Sequence, residues 1–331
     1  MATTQLIDII EPAKFTDYIL QNSMERTALV QAGILARNAV IEAQLNAGAD
    51  SFTVPFWNDL ADDEADIVND NPATNSTPGK LTAGKQVVRK SFLHKSWSSM
   101  NLASEIAGAD ALGRIQSRAG AYWDRQLQRR LVGTMNGILA DNVASDDGDM
   151  LLDISGETGD AAKFSAAAVI DAAGTLGDQL GSITGIAMHG DLYRAALKAD
   201  LIEFVRPSEG SLTLPTFRGL VVIQDDAMPK DDVAGTYVTA LFGVGAFGYG
   251  VSAPRIAAGT EVENLPSSGN GGGQQILHSR LNVAVHPAGF KWTETSVVDE
   301  SPSLAELAAA ANWARVVERR AVPLAFLKSK L

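Results

Sequence analysis

Between residues 109 and 139 the apolar positions Leu112, Ile115, Ala119, Tyr122, Leu127, Leu131, Met135 and Ile138 recur at intervals of three, four and once five. Arg114, Arg118, Arg125 and Arg129 fall on the other faces. That spacing predicts one long amphipathic helix. At 1.5 Å per residue it would run on the order of 45 Å, the length of a structural spine. The turn-rich stretch Asp141-Asn142-Val143-Ala144-Ser145-Asp146-Asp147-Gly148 closes it. Upstream, Leu29, Ile34, Val40 and Ile41 predict a helix over residues 24–44, ended by Asn46-Ala47-Gly48-Ala49-Asp50. Residues 1–50 therefore read as an arm.

The period changes at Ser51. Phe52-Thr53-Val54-Pro55-Phe56-Trp57 starts as a strand, an acidic run covers residues 59–66, and a Pro/Asn/Thr/Gly stretch occupies residues 69–79. Residues 86–97 return as a second extended segment, so 51–97 reads as one two-stranded excursion. Beyond residue 150 short apolar strands alternate with helices. Helices are predicted at 166–180 and 191–201, and strands at 183–188, 220–224 and 236–242. The glycine-rich run Pro266-Ser267-Ser268-Gly269-Asn270-Gly271-Gly272-Gly273 reads as a hinge or exposed tip. Strands over 275–286 and 290–298 follow it. Ser303 and Glu306 then form a capping box behind Pro302, and Leu304, Leu307, Ala311, Ala314 and Val317 predict one helical stripe before Pro323.

Composition narrows the function. The 331 residues are 46% hydrophobic and 20% charged, with mean hydropathy +0.02, which supplies a core for one large or two modest domains. No run reaches the roughly 18 apolar residues of a membrane span, and the first residues lack the features of a secretory signal. The absence of cysteine removes disulfides and thiolate chemistry, while His94, His189, His278 and His286 are too scattered to suggest zinc. No cofactor or metal is expected. A net charge of −12 has the wrong sign for gripping phosphate by counterion release.

Several motifs imitate chemistry. Gly243-Val244-Gly245-Ala246-Phe247-Gly248 fits the dinucleotide fingerprint and follows a strand, which would make the chain a nucleotide-binding α/β enzyme. Tyr249-Gly250-Val251-Ser252-Ala253-Pro254 cannot open the required helix, however, so the plainer reading is a tight turn. The runs Asp62-Asp63-Glu64-Ala65-Asp66 and Asp146-Asp147-Gly148-Asp149 lack a twelve-residue calcium loop and read as solvated charge. His189, Asp191 and Tyr193 have no partner at a catalytic spacing, which leaves capping or packing. No catalytic residue is assigned.

In order along the chain, Phe52-Thr53-Val54-Pro55-Phe56-Trp57, Tyr122-Trp123-Asp124-Arg125, Met188-His189-Gly190-Asp191-Leu192-Tyr193, Val222-Ile223-Gln224-Asp225-Asp226 and Leu241-Phe242-Gly243-Val244-Gly245-Ala246 resemble the major capsid proteins of tailed bacteriophages. His286-Pro287-Ala288-Gly289-Phe290-Lys291-Trp292 and Ser301-Pro302-Ser303-Leu304-Ala305-Glu306-Leu307, followed by Asn312-Trp313, continue the agreement, which runs from about residue 10 to residue 325. The resemblance implies the α+β capsid fold shared with encapsulins and herpesvirus capsid floors. That fold has an N-terminal arm (1–50), an extended loop (51–97) and a peripheral domain with the spine helix (98–150). An axial domain (151–275) follows, and then return strands with a C-terminal helix (276–331).

The same resemblance implies a shell subunit and no enzyme. It would self-assemble into pentamers and hexamers around double-stranded DNA, in the virion, after synthesis in the bacterial host cytoplasm. An encapsulin-like compartment is the alternative on the same fold. Expected partners are copies of the chain itself, a portal, decoration proteins, and DNA contacted without sequence specificity. A separate scaffolding protein is also expected, because the arm begins almost at Met1. Candidate interface residues are Phe56, Trp57, Asp62, Asp63, Glu64, Lys80, Lys85 and Arg89 in the loop, and Arg114, Arg118, Arg125 and Arg129 on the spine. Some relatives of this fold join a loop lysine covalently to a neighbour, which brings Lys80, Lys85, Lys90 and Lys95 into view.

Overall fold

The periodic stripe forms the helix Ala111–Ser145, 35 residues and roughly 52 Å long. Asp110 caps it, its carboxylate accepting the Gly113 N–H at 3.0 Å. The computed structural model describes residues 35–60, 64–68, 70, 71, 73, 75, 78–205 and 214–331. Burial along the spine is uneven. Leu127, Leu131, Met135 and Ile138 are buried, whereas before residue 127 only Leu112 is.

The buried stripe packs on a five-stranded sheet built around the 14-residue strand Gln274–Pro287. Ser91–Met100 pairs along one edge of that strand, while Phe247–Ser252 and Thr260–Leu265 share the other. Leu35–Arg37 adds in parallel to Phe247–Tyr249. A second sheet of eight strands runs Leu151–Asp153, Leu324–Lys330, Thr236–Gly243, Ile183–Met188, Leu220–Gln224, Leu214–Phe217 and Glu203–Val205, with Lys230–Asp231 beside Thr236–Gly243.

Strand alternation explains how one core becomes two layers. Successive side chains of a strand point to opposite faces. Leu324 and Phe326 enter the cluster with Leu131 and Ile138 of the spine, while Ala325 and Leu327 enter a second cluster with Val169, Leu176, Ile186 and Leu192. Ala240 and Phe242 against Tyr237 and Leu241 divide in the same way. A strand buried on both faces reads as a continuous apolar run, as Leu324-Ala325-Phe326-Leu327 does.

Several predicted elements are corrected. The helix predicted over 24–44 falls outside the described residues up to 34. From Leu35 the chain is a short strand, and Asn38 starts a helix only at Ala39–Leu45, its side chain accepting the N–H groups of Val40 and Ile41. The helix predicted over 166–180 stops at Gly174, where the Thr175 hydroxyl bonds the Ala172 carbonyl at 2.8 Å and Gly177 takes φ +62°. The strand predicted over 290–298 covers only Phe290–Trp292.

The C-terminal helix is a single turn, Leu304–Leu307, with the capping box in place. Its extension is blocked by side chains that take the carbonyls a longer helix would use. The Asn312 amide donates to Glu306 O at 2.9 Å and the Trp313 indole to Leu307 O at 2.8 Å. Trp313–Arg315 then pairs with Phe290–Trp292 as strands. Gly137 on the spine makes room for this turn, since a Cβ there would collide with Leu307 O and the Trp313 ring. The glycine-rich run is the turn of a hairpin, joining Thr260–Leu265 to Gln274–Pro287, with Gly269, Asn270, Gly271 and Gly273 all at positive φ.

Candidate assembly surfaces

Ser51–Trp57 and Ala83–Arg89 pair antiparallel over seven residues each, from Ser51 opposite Arg89 to Trp57 opposite Ala83. This ribbon shares no ladder with either larger sheet, and at its root Val88, Phe52 and Val54 pack with Ile41, Leu45 and Ala284 of the long strand Gln274–Pro287. Ser91–Met100, the far part of the predicted excursion, belongs instead to the five-stranded sheet of the body. β-branched and aromatic residues favour the strands, and Phe56 lays its ring over Gly84, where a Cβ would not fit. Pro55 tolerates a two-stranded ribbon because one of its sides makes no ladder.

The root of the ribbon is fixed by charge as well as by this apolar cluster. Arg89, with a side chain only 5% exposed, pairs with Asp50 and with Glu294 (3.1 Å), and donates to Glu300 O at 2.9 Å. The guanidinium hydrogen-bonded to it holds the Asp50 carboxyl below the usual carboxylate range. Lys90 is fully buried; its ammonium donates to Ala47 O at 2.9 Å and sits 5.9 Å from the Phe52 ring centre. Burial pushes its pKa down.

Behind the root, Arg130 of the spine is buried and donates to Ser91 Oγ (2.9 Å) and Pro302 O (3.1 Å), its pKa lowered by burial to about 10. These contacts tie the start of the strand that leaves the ribbon, at Ser91, to the spine and to the chain near residue 300.

The far end of the ribbon is the opposite. Trp57, Leu60, Ile67, Val68 and Leu81 are between 50% and 95% exposed, and Glu64, Lys80 and Lys85 are exposed as well. Asp62 and Asp63 lie outside the described residues. Isolated exposed apolar residues are normal, but five on one protrusion are more than that background supplies.

Of the remaining candidates, Phe56 is half-buried against Gly84 and Arg89 is taken up within the chain at the root. Arg114 and Arg129 lie exposed on the spine, with Arg118 and Arg125 half-buried. Of the described loop candidates, Phe56, Trp57, Glu64, Lys80 and Lys85 lie on one protrusion and Arg89 at its root, while the arginines spread along a separate rod. Lys80, Lys85 and Lys95 are exposed, in contrast to the enclosed Lys90.

Sequence reasoning missed the charged anchors Lys90 and Arg130, since nothing in their spacing separates a buried cation from a surface one. It also missed Arg315. That guanidinium holds the acidic turn after the spine, bonding Asp149 through two contacts of 2.8 Å and reaching Asp146 at 3.4 Å. The run read as solvated charge is therefore in part an ion-paired clasp. Arg319 beside it donates to Asp149 O and Thr175 Oγ1, and burial lowers its pKa to about 10.

The motifs that imitate chemistry resolve into structure. Residues 244–246 turn directly from strand Thr236–Gly243 into strand Phe247–Ser252, so no helix N-terminus faces a phosphate there. His189 caps the helix Gly190–Lys198, its Nδ1 accepting the Asp191 N–H at 3.1 Å, and Asp191 accepts the Tyr237 hydroxyl at 3.2 Å. Among the described residues no group of three or more metal-binding side chains converges. None of their helices is long and apolar enough to cross a membrane.

No protein-family model matches the chain. A curated relative, the major capsid protein of Bacillus phage SPP1, is 34% identical over 336 residues, covering 100% of this chain and 99% of the relative. Among solved structures, the capsid of Ralstonia phage GP4 aligns with TM-score 0.57 at 8% identity, over 100% of this chain and 98% of that one. The Cyanophage Pam1 capsid aligns at 0.56 and 11%, over 97% and 98%. The SrpI encapsulin of Synechococcus elongatus aligns at 0.53 and 12%, over 99% and 95%.

At such identities the structures speak for the fold alone, and the full-length relative decides between phage capsid and encapsulin. The chain belongs to the major capsid proteins of bacteriophages, a family of structural shell subunits rather than enzymes, and it has the tailed-phage capsid fold.

Proposed function

We propose that this subunit assembles into pentamers and hexamers of an icosahedral shell around the double-stranded DNA of a tailed phage. One observation carries the reading: a ribbon anchored by buried cations at its root and uncovered at its apolar tip. An unsupported protrusion of this kind costs conformational entropy that only a neighbour's surface offsets. Contacts between different patches of identical copies close into rings when the rotation from one copy to the next closes. Obligate interfaces of this sort bury on the order of 2,000–5,000 Å².

Within this reading residues 1–50 act as an arm and the extended loop of 51–97 reaches a neighbour. The spine segment 98–150 and the return segment 276–331 form the peripheral domain, and 151–275 gathers at capsomer centres. The candidate interface residues Phe56, Trp57, Asp62, Asp63, Glu64, Lys80 and Lys85, with the spine arginines Arg114, Arg118, Arg125 and Arg129, would touch neighbouring copies. Arg89 would set the ribbon's direction. A separate scaffolding protein, a portal and decoration proteins complete the proposed partners, with assembly in the bacterial cytoplasm and DNA enclosed without sequence-specific contact.

Negative-stain microscopy of the chain, expressed alone and with neighbouring small genes, tests this reading. Closed shells or rings of five and six are expected. A dimer or tetramer that never assembles under either condition would overturn it. The protein content of purified particles tests the proposed partners.

A further inference from the structure

Behind the ribbon root, between the spine and the long strand Gln274–Pro287, lies a cavity of about 10 Å³. Such a volume holds one solvent-sized particle. Val283, Val285, Leu307 and Trp313 supply its apolar walls, and Arg89, Arg130, Thr134 and Trp292 its polar ones. None of these four polar residues is more than 8% exposed.

Three of the lining side chains carry a buried polar atom with no hydrogen-bond partner among the described residues: Thr134 Oγ1, Trp292 Nε1 and Arg89 Nε. The Trp292 and Arg89 nitrogens can only donate, and the Thr134 hydroxyl can donate as well. Buried donors of this kind almost always meet an acceptor in a folded chain. The neighbouring polar groups are already matched: the Trp313 indole donates to Leu307 O at 2.8 Å, and Arg130 to Ser91 Oγ and Pro302 O.

The charge of the cavity has the same sign as its donors. Arg89 is matched by Asp50 and Glu294, but Arg130 binds two neutral oxygens, and no carboxylate of the described residues pairs with it. Burial alone accounts for its pKa falling to about 10. The enclosure therefore holds one uncompensated positive charge, which calls for a counter-charge. A water molecule answers this poorly. It accepts two hydrogen bonds and must place its own two hydrogens, and of the unmatched atoms only Thr134 Oγ1 can receive one. A monatomic anion accepts from all three donors and offsets Arg130. A cavity this small excludes sulfate, phosphate and carboxylates.

We propose that this cavity binds a chloride ion, held by the Thr134 hydroxyl, the Trp292 indole N–H and the Arg89 Nε–H beside the guanidinium of Arg130. The site belongs to the single subunit and does not depend on the capsid reading above. The anion joins three parts of the fold: the ribbon root at Arg89, the spine at Arg130 and Thr134, and the return segment at Trp292. The firmness of the ribbon's anchor thereby follows the halide concentration.

Halide titration of the purified chain tests the site. Chloride replaces gluconate at constant ionic strength while thermal unfolding is followed. Above the dissociation constant the midpoint should rise by about 2 °C for each tenfold increase in chloride, and bromide should act in the same way. Thr134→Val keeps the shape of the side chain without its hydroxyl, and Trp292→Phe removes the indole donor. Each should weaken chloride binding by about tenfold, the worth of one hydrogen bond to a charged group. A midpoint indifferent to chloride overturns the proposal and leaves the cavity to water. An equal response in the natural chain and both variants overturns it too, since the ion then acts elsewhere.

Equilibrium dialysis of the natural chain against labelled chloride does not depend on the variants folding. A single saturable ion per chain, displaced by bromide but not by sulfate, is expected. Absence of saturable uptake, or uptake that sulfate displaces as well as bromide does, overturns the proposal.

Discussion

The two ends of the ribbon follow opposite physical rules. At the root, Asp50, Arg89 and Lys90 are locked by ion pairs and hydrogen bonds inside the subunit, with Lys90 wholly removed from solvent. At the tip, Trp57, Ile67 and Val68 are left uncovered. Removing the partners of the nearly enclosed Arg89 or Lys90 would leave a buried charge unpaired, which is strongly unfavourable. The difference teaches that the fold sets the direction of the protrusion internally and leaves its far surface uncovered, which is the surface the proposed assembly would use.

The largest effect should follow from removing the tip. Deletion of residues 62–80 should abolish assembly while leaving a cooperatively folded subunit, because none of the described residues in that stretch belongs to the core. Thermal unfolding by circular dichroism checks the second half, and loss of a cooperative transition would mean that the segment belongs to the fold.

Next comes acid. His286 is buried, and burial lowers its pKa to about 4. The unfolded chain takes up that proton near pH 6.5. Stability from this group is therefore complete above pH 6.5 and is lost as pH falls to 4, by about 3 kcal/mol in all. Denaturant titrations at pH 7, 5 and 4 should show a shallower slope in His286→Gln than in the natural chain. Equal slopes would remove His286 as the cause. Both ribbon ends should be indifferent to this substitution, since His286 lies in the body beside Trp313.

A smaller loss tests the root. Arg89→Ala removes a nearly enclosed guanidinium with its contacts to Asp50, Glu294 and Glu300 O, and should cost about 2 kcal/mol. Chemical denaturation measures it, and a cost below about 0.5 kcal/mol would show that the root is not an anchor. The smallest effect on stability belongs to Trp57→Ser at the tip. Its cost should be within about 0.5 kcal/mol, because Trp57 is 72% exposed, yet particle yield should fall. The same denaturation curve read beside a particle count separates the two.

The parts legible in the sequence were those carried by local periodicity. The spine stripe Leu127, Leu131, Met135 and Ile138 is the buried face, and Phe52 to Trp57 is a ribbon strand. The Ser303–Glu306 capping box is present because a cap is a local bond. The continuation of that helix failed for a non-local reason. Ala311, Ala314 and Val317 keep helical spacing, but Asn312 and Trp313 take the carbonyls and Phe290–Trp292 offers a strand partner.

Burial of single charges was illegible for the same reason. Lys90 follows Lys85 and precedes Lys95 at equal spacing, and only the closure of residues 47–52 over it makes it different. The cavity behind the root, lined by residues near 90, 130, 284 and 292, has no signature in any one segment.

Sedimentation velocity of the natural chain beside the 62–80 deletion, with microscopy of each fast-sedimenting fraction, tests the central claim most directly. The account predicts shells or five- and six-membered rings for the natural chain and a slow, folded subunit for the deletion. A deletion that assembles as readily as the natural chain would contradict it.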